Sequence, residues 1–111
     1  MKLNGRQLGD AYLVTVDVPR IDAAVAIRFR EEMREQIEAS TGTLILDLGP
    51  VGFIDSSGLG AIVAAMKLMP NGRRMELAAL GPVVDKVFRM TRMDSIFRIH
   101  ASVDEATAAH G

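Results

Sequence analysis

Ile45-Leu46-Asp47-Leu48-Gly49-Pro50-Val51-Gly52-Phe53-Ile54-Asp55-Ser56-Ser57-Gly58-Leu59-Gly60 is an apolar run, a loop punctuated by glycine, and the opening of an amphipathic segment. It reads as a strand-to-helix corner, with the helix running from Ser57 to Met69. Asp55, Ser56 and Ser57 are all residue types that cap helix N-termini, because a short side-chain oxygen can accept from the free N–H groups of the first turn. Gly58 and Gly60 leave that turn open. Two readings follow from the residues alone. In one, Asp55 and Ser56 only cap the helix and the glycines allow close packing. In the other, a hydroxyl at this corner is a switch, because a phosphate placed on it would meet unpaired donors and the positive end of the helix dipole.

The segments on either side fix the architecture. Thr43 to Leu48 is nearly unbroken in its hydrophobicity, as expected for a central strand covered on both faces. Upstream, Asp22 is a good N-cap for a helix that reaches about Ser40 and stops near Gly42. Ala26, Phe29, Met33 and Ile37 recur along it at helical spacing. Before it, Leu3 to Leu8 reads as an edge strand, Gly9-Asp10 as a turn, and Ala11 to Val18 as a second strand closed by Pro19. In that second strand Tyr12, Val14, Val16 and Val18 alternate with Leu13, Thr15 and Asp17. Strand, helix and strand make a parallel crossover, which is right-handed in nearly all proteins. Sites in such sheets lie beyond the carboxyl ends of the strands, where the loop from Gly49 to Ser57 belongs. Downstream, Pro70-Asn71-Gly72 ends the helix and Arg74 to Leu80 supplies a strand. Gly81-Pro82 opens a helix whose apolar face is Val83, Val84, Val87 and Phe88. Phe97 to Ile99 forms a short strand, and Ser102 with Glu105 makes a capping box for a last helix reaching Ala109. Residues 1–111 are expected to form one α/β domain, a mixed sheet of four or five strands with about four helices.

The run from Ile45 to Gly60 resembles the signature of the anti-sigma factor antagonist family, the bacterial STAS domain. Leu80-Gly81-Pro82, Val87-Phe88 and Met93-Asp94-Ser95-Ile96-Phe97-Arg98-Ile99 are similar to that family's closing helix and last strand. The resemblance implies that Ser56, the first serine after the aspartate, is the phosphoacceptor, with Ser57 the second candidate. It implies a partner-binding surface of Asp22, Asp55, Ser56, Ser57, Gly58 and Leu59. It implies a protein that docks a serine-kinase anti-sigma factor while Ser56 is unmodified, is phosphorylated by that kinase, and is restored by a metal-dependent serine phosphatase. A second implication is a STAS subunit of a signalling scaffold, or an accessory subunit of a membrane transporter, with the corner serving as a contact surface.

Composition narrows the alternatives. With 111 residues, 49% of them hydrophobic, the chain suits one domain with a real core. A net charge of −1 argues against a grip on nucleic acid by phosphate neutralisation. There is no cysteine, so disulfides and thiolate chemistry are excluded. No stretch approaches the ~20 apolar residues that span a bilayer, and Met1 to Arg6 lacks the apolar run of a signal peptide, so a cytoplasmic protein is expected. Catalysis would need a nucleophile with its base, a metal cluster or displaced carboxylate pKa values. His100 and His110 are far from Ser56 in sequence, although a serine-histidine arrangement through His100 is conceivable; His110 reads as a tail residue. Asp47 and Asp55 lack the acidic pair and lysine that a receiver-type phospho-aspartate site needs. Gly58-Leu59-Gly60 is too little for a phosphate-cradling loop. No cofactor, metal or enzymatic activity is expected.

Overall fold

The computed structural model describes residues 3–110. The chain runs β1 (Leu3–Leu8), β2 (Ala11–Val16), β3 (Arg20–Ile21), α1 (Ala23–Glu38), β4 (Thr43–Asp47) and β5 (Phe53–Ile54). It continues through α2 (Ser56–Lys67), β6 (Met75–Ala78), α3 (Pro82–Met90), a 3-10 turn at Met93–Ser95, β7 (Ile99–His100) and α4 (Val103–Ala108). The main sheet has five strands in the order β1-β2-β4-β6-β7. β1 pairs antiparallel with β2, and every other pairing in that sheet is parallel. The expected mixed α/β sheet and four helices are therefore present among the described residues.

The central strand is β4, and its composition explains its place. Leu44 and Leu46 face a main core shared with Phe29, Met33 and Ile37 of α1 and Ala61, Ile62 and Ala65 of α2. Ile45 points the other way, into a smaller cluster with Ala11, Leu13, Ala78 and Ala106 of α4. A strand apolar at three consecutive positions, Leu44 to Leu46, needs cover on both faces, and α4 supplies the second. The helical spacing of Ala26, Phe29, Met33 and Ile37 is the buried stripe of α1. In α3 the stripe is narrower than expected: Val84 and Phe88 are buried, but Val83 in the first turn is 53% exposed. Phe88 meets Phe97 edge to face at 6.0 Å, a favoured aromatic geometry.

Several boundaries move. β2 ends at Val16 rather than Val18, because residues 17–19 leave the sheet to enter β3. α2 starts at Ser56 and stops at Lys67, and the strand expected at Arg74 to Leu80 shortens to β6. The last strand is Ile99–His100 rather than Phe97 to Ile99; Phe97 is committed to packing on Phe88. Ser102 caps α4 by accepting from the Glu105 amide at 3.1 Å, as the capping-box pattern requires. Arg73 closes the C-terminus of α1, donating to the Ile37 carbonyl at 2.7 Å and to Ser40 Oγ at 2.7 Å.

β6 carries a feature that hydrophobic patterning does not reveal. Glu76 is fully buried in the middle of the strand. Its Oε1 lies 2.7 Å from the Nε2 atoms of both His100 and His110, so His110 is no free tail. Burial pushes the Glu76 carboxyl up, but the hydrogen bonds and charges of His100 and His110 outweigh this and hold it below its ordinary value.

Because β4 is packed from both sides, Leu46→Ala should cost about 2–5 kcal/mol by opening a cavity under α1 and α2. Urea unfolding should show a lower midpoint with an unchanged slope.

Candidate functional site: the corner where two helices begin

β3 and β5 form a small parallel ladder apart from the main sheet, with Arg20 opposite Phe53 and Ile21 opposite Ile54. Each strand is followed by one cap residue and then a helix. Pairing the strands in register therefore sets Asp22 and Asp55 side by side, with α1 and α2 starting together. Asp22 Oδ1 accepts from the Ala24 amide at 3.1 Å, capping α1. Asp55 does more: its Oδ1 caps α2 through the Gly58 amide at 2.9 Å, and its Oδ2 accepts from the Ala23 amide of α1 at 3.2 Å. One carboxylate thus satisfies unpaired donors of two helices, where the positive ends of both dipoles favour it.

Gly58 is what lets α2 come so close. A Cβ at this position would overlap the Ile21 carbonyl, falling 2.8 Å from its carbon. At Gly60 a Cβ would meet nothing within 4 Å. The two glycines are therefore not equivalent: Gly58 is buried, whereas Gly60 is solvent-facing. Gly58 contributes by setting the approach of the helix rather than by offering surface. Leu59 is half-buried against the main core.

Ser56 and Ser57 are both exposed in the first turn of α2. With the Gly58 amide taken by Asp55, the amides of Ser56 and Ser57 are the first-turn donors that a helix leaves without an internal acceptor. The structure thus brings Asp22, Asp55, Ser56 and Ser57 to one surface. Two further residues join them that the sequence reading did not single out. The Arg20 guanidinium pairs with Asp22 at 3.4 Å and lies 5.0 Å over the Phe53 ring, which is 40% exposed. A strand of two residues carries no periodic signal in the sequence; once β5 is formed, Ile54 turns inward and Phe53 turns out.

The catalytic alternatives find other employment for their residues. His100 and His110 engage Glu76 and make no hydrogen bond to Ser56. Asp47 accepts from the Gly49 amide at 2.9 Å and from Thr15 Oγ1 at 3.3 Å, which closes the loop after β4. No helix among the described residues is long and apolar enough to cross a membrane.

This architecture, an α/β sheet with a serine-bearing helix start beside the first helix, is that of the STAS domain, and the family model for the STAS domain matches residues 2–106. The chain belongs to the STAS domain family. Among its relatives, BtrV of Bordetella bronchiseptica, which carries the name of an anti-sigma factor antagonist, is 29% identical over 90 residues, covering 80% of this chain and 78% of BtrV. The crystal structure of an anti-sigma factor antagonist from Mycobacterium paratuberculosis superposes with a TM-score of 0.88 at 22% identity, covering 98% of this chain and 92% of that one. The Bacillus cell fate determinant SpoIIAA in its phosphorylated form shares the fold at a TM-score of 0.67 and 20% identity, covering 97% of this chain and 98% of that one.

The corner geometry separates the two glycines by experiment. Gly60→Ala should leave stability unchanged or raise it by up to about 1 kcal/mol, since it relieves the entropic cost of a helical glycine. Gly58→Ala should lower it by about 1–3 kcal/mol through overpacking. Chemical denaturation of both variants measures the contrast.

Proposed function

We propose that this chain is an anti-sigma factor antagonist whose docking surface is switched off by phosphorylation of Ser56. The observation that carries the proposal is an exposed serine at the first position of α2, next to a carboxylate that ties two helix starts together. With Ser56 unmodified, the surface of Asp22, Asp55, Ser56, Ser57 and Leu59, widened by Phe53 and Arg20, docks a serine-kinase anti-sigma factor. Gly58 sets the spacing beneath it. The relatives named as antagonists and the phosphorylated SpoIIAA structure support this assignment by family.

The mechanism is local. A phosphoserine brings about −1.5 to −2 charges and a group of strong acceptor oxygens. Held on Ser56, it can accept from the free first-turn amides and is favoured by the α2 dipole, so the modified state fits the fold. Toward a partner the effect is the reverse. The new charge stands beside Asp55 and Asp22, and the partner must displace water from three negative groups instead of two. Ser57 is the second candidate acceptor; its place in the same exposed turn gives it similar access to a kinase. A metal-dependent serine phosphatase returns the protein to the docking state.

Ser56→Asp should leave far-ultraviolet circular dichroism unchanged and weaken binding of the partner kinase by more than about tenfold, as expected for an added charge at a desolvated contact. Ser56→Ala should retain binding and lose phosphorylation. The check is a pull-down from source-cell lysate with both baits, partners being identified by mass spectrometry, followed by phosphopeptide mapping of the wild-type protein. Equal capture of one large assembly or transporter by both baits would reject the switch in favour of the contact-surface reading, and phosphate on Ser57 alone would move the acceptor.

A further inference from the structure

A second cluster of chemistry lies on the other face of the sheet, in the layer covered by α4. Glu76 from β6, His100 from β7 and His110 just beyond α4 converge there. Their ligand-type atoms, one carboxylate oxygen and one nitrogen from each imidazole, all lie within 4.8 Å of one another. The two imidazole planes are inclined at 78° with centroids 6.4 Å apart, so the rings approach a single oxygen from different directions. The Glu76 side chain is only 1% exposed and those of His100 and His110 are 8% and 19% exposed.

Such a site is costly unless it is used. A carboxylate without solvent must be compensated by partners. Oε1 has two, but the buried Oε2 has no hydrogen-bond partner. The Arg74 and Arg98 guanidiniums stand 3.6 Å and 4.0 Å from Oε2, and both are at least half exposed. They orient the carboxylate from outside and leave Oε1 turned toward the imidazoles. The cover over the cluster is thin: α4 has six residues and buries one, Ala106. A helix so short has little stability of its own, so its position depends on what anchors its end.

We propose that Glu76, His100 and His110 form a binding site for a divalent transition-metal ion of the zinc class, which fastens the end of α4 to β6 and β7. Two imidazoles and one carboxylate are a donor set suited to Zn²⁺, with a fourth position left for water. Tetrahedral bonds of about 2.0–2.1 Å require ligand atoms about 3.3 Å apart, so the present 2.7 Å contacts must open slightly. His110 lies just past the Ala109 C-cap of α4 and is partly exposed, so it can make that movement. Ligation also needs the Nε2 lone pair of each ring. The proton that Nε2 now donates to Oε1 moves to Nδ1 or, from an imidazolium, leaves to solvent. The two arginine charges oppose the cation, but at their exposure water and salt screen them.

The test uses the full chain, freed of metal by chelation and then titrated with Zn²⁺ or Co²⁺. Zn²⁺ should raise the thermal unfolding midpoint at saturating concentration, since an ion that binds only the folded state stabilises it by mass action. Co²⁺ should give visible absorption bands of low coordination number. His110→Ala removes a partly exposed ligand without opening the core and should leave the metal-free protein folded. It should weaken Zn²⁺ binding by more than about tenfold, the lower end of what even an outer-shell partner costs, and abolish the Co²⁺ bands. His100→Ala provides the same readout from the sheet side. The proposal is overturned if Zn²⁺ produces no shift in the wild-type protein, or if His110→Ala binds both ions as the wild type does. Neither result bears on the Ser56 switch, because Ser56 is retained in every variant.

Discussion

The structure turns on the carboxylate of Asp55. Two helices that begin at the same place present two sets of unpaired amides and two positive dipole ends, an arrangement that needs negative charge between them. Asp55 provides it to both helices at once, at 2.9 Å to Gly58 and 3.2 Å to Ala23. The β3–β5 ladder delivers the chain in register, and the absence of a Cβ at Gly58 lets α2 close on Ile21. Together these contacts hold the two helix starts side by side, with the exposed serines beside Asp22 and Asp55.

This explains how a rigid corner can serve as a switch. Under the proposed switch the surface need not move: phosphorylation of Ser56 would change only its charge, while the buried side of the corner stays fixed by packing on Ile21 and Ile54. A fold of this kind separates stability from binding. The core beneath α1 and α2 carries the first; in the proposed reading, a few exposed side chains at the carboxyl ends of the strands would carry the second. The other sheet face follows a different logic. Its apolar cluster is small and built largely of alanine and short aliphatic groups around Leu13 and Ile45, so polar contacts at Glu76 take a larger share in holding α4.

Much of this was legible in the residues. The stripe of Ala26, Phe29, Met33 and Ile37 and the unbroken Leu44-Ile45-Leu46 run follow from periodicity, which responds directly to burial. Ser102 with Glu105 and Pro82 after Gly81 follow from local capping chemistry. What failed did so for identifiable reasons. Val83 has the same hydrophobicity as Val84 but lies outside the contact made by the first turn of α3. Phe97 looks like a strand residue because it is aromatic, yet Phe88 claims it. Arg20-Ile21 and Phe53-Ile54 are each two residues long, too short for any periodic signal, and only their pairing reveals them as strands.

By itself the sequence determined the mixed α/β class, the strand-to-helix corner, and the serine and aspartate types at it, because these depend on near neighbours in the chain and on hydrophobic spacing. Only the tertiary structure decided that Asp55 reaches Ala23 across 32 positions, that Gly58 rather than Gly60 is the tight contact, and that His110 meets Glu76 across 34. The physical reason is common to all three. Each depends on the distance between groups far apart along the chain, and that distance is set only when the sheet and its two covering layers have packed.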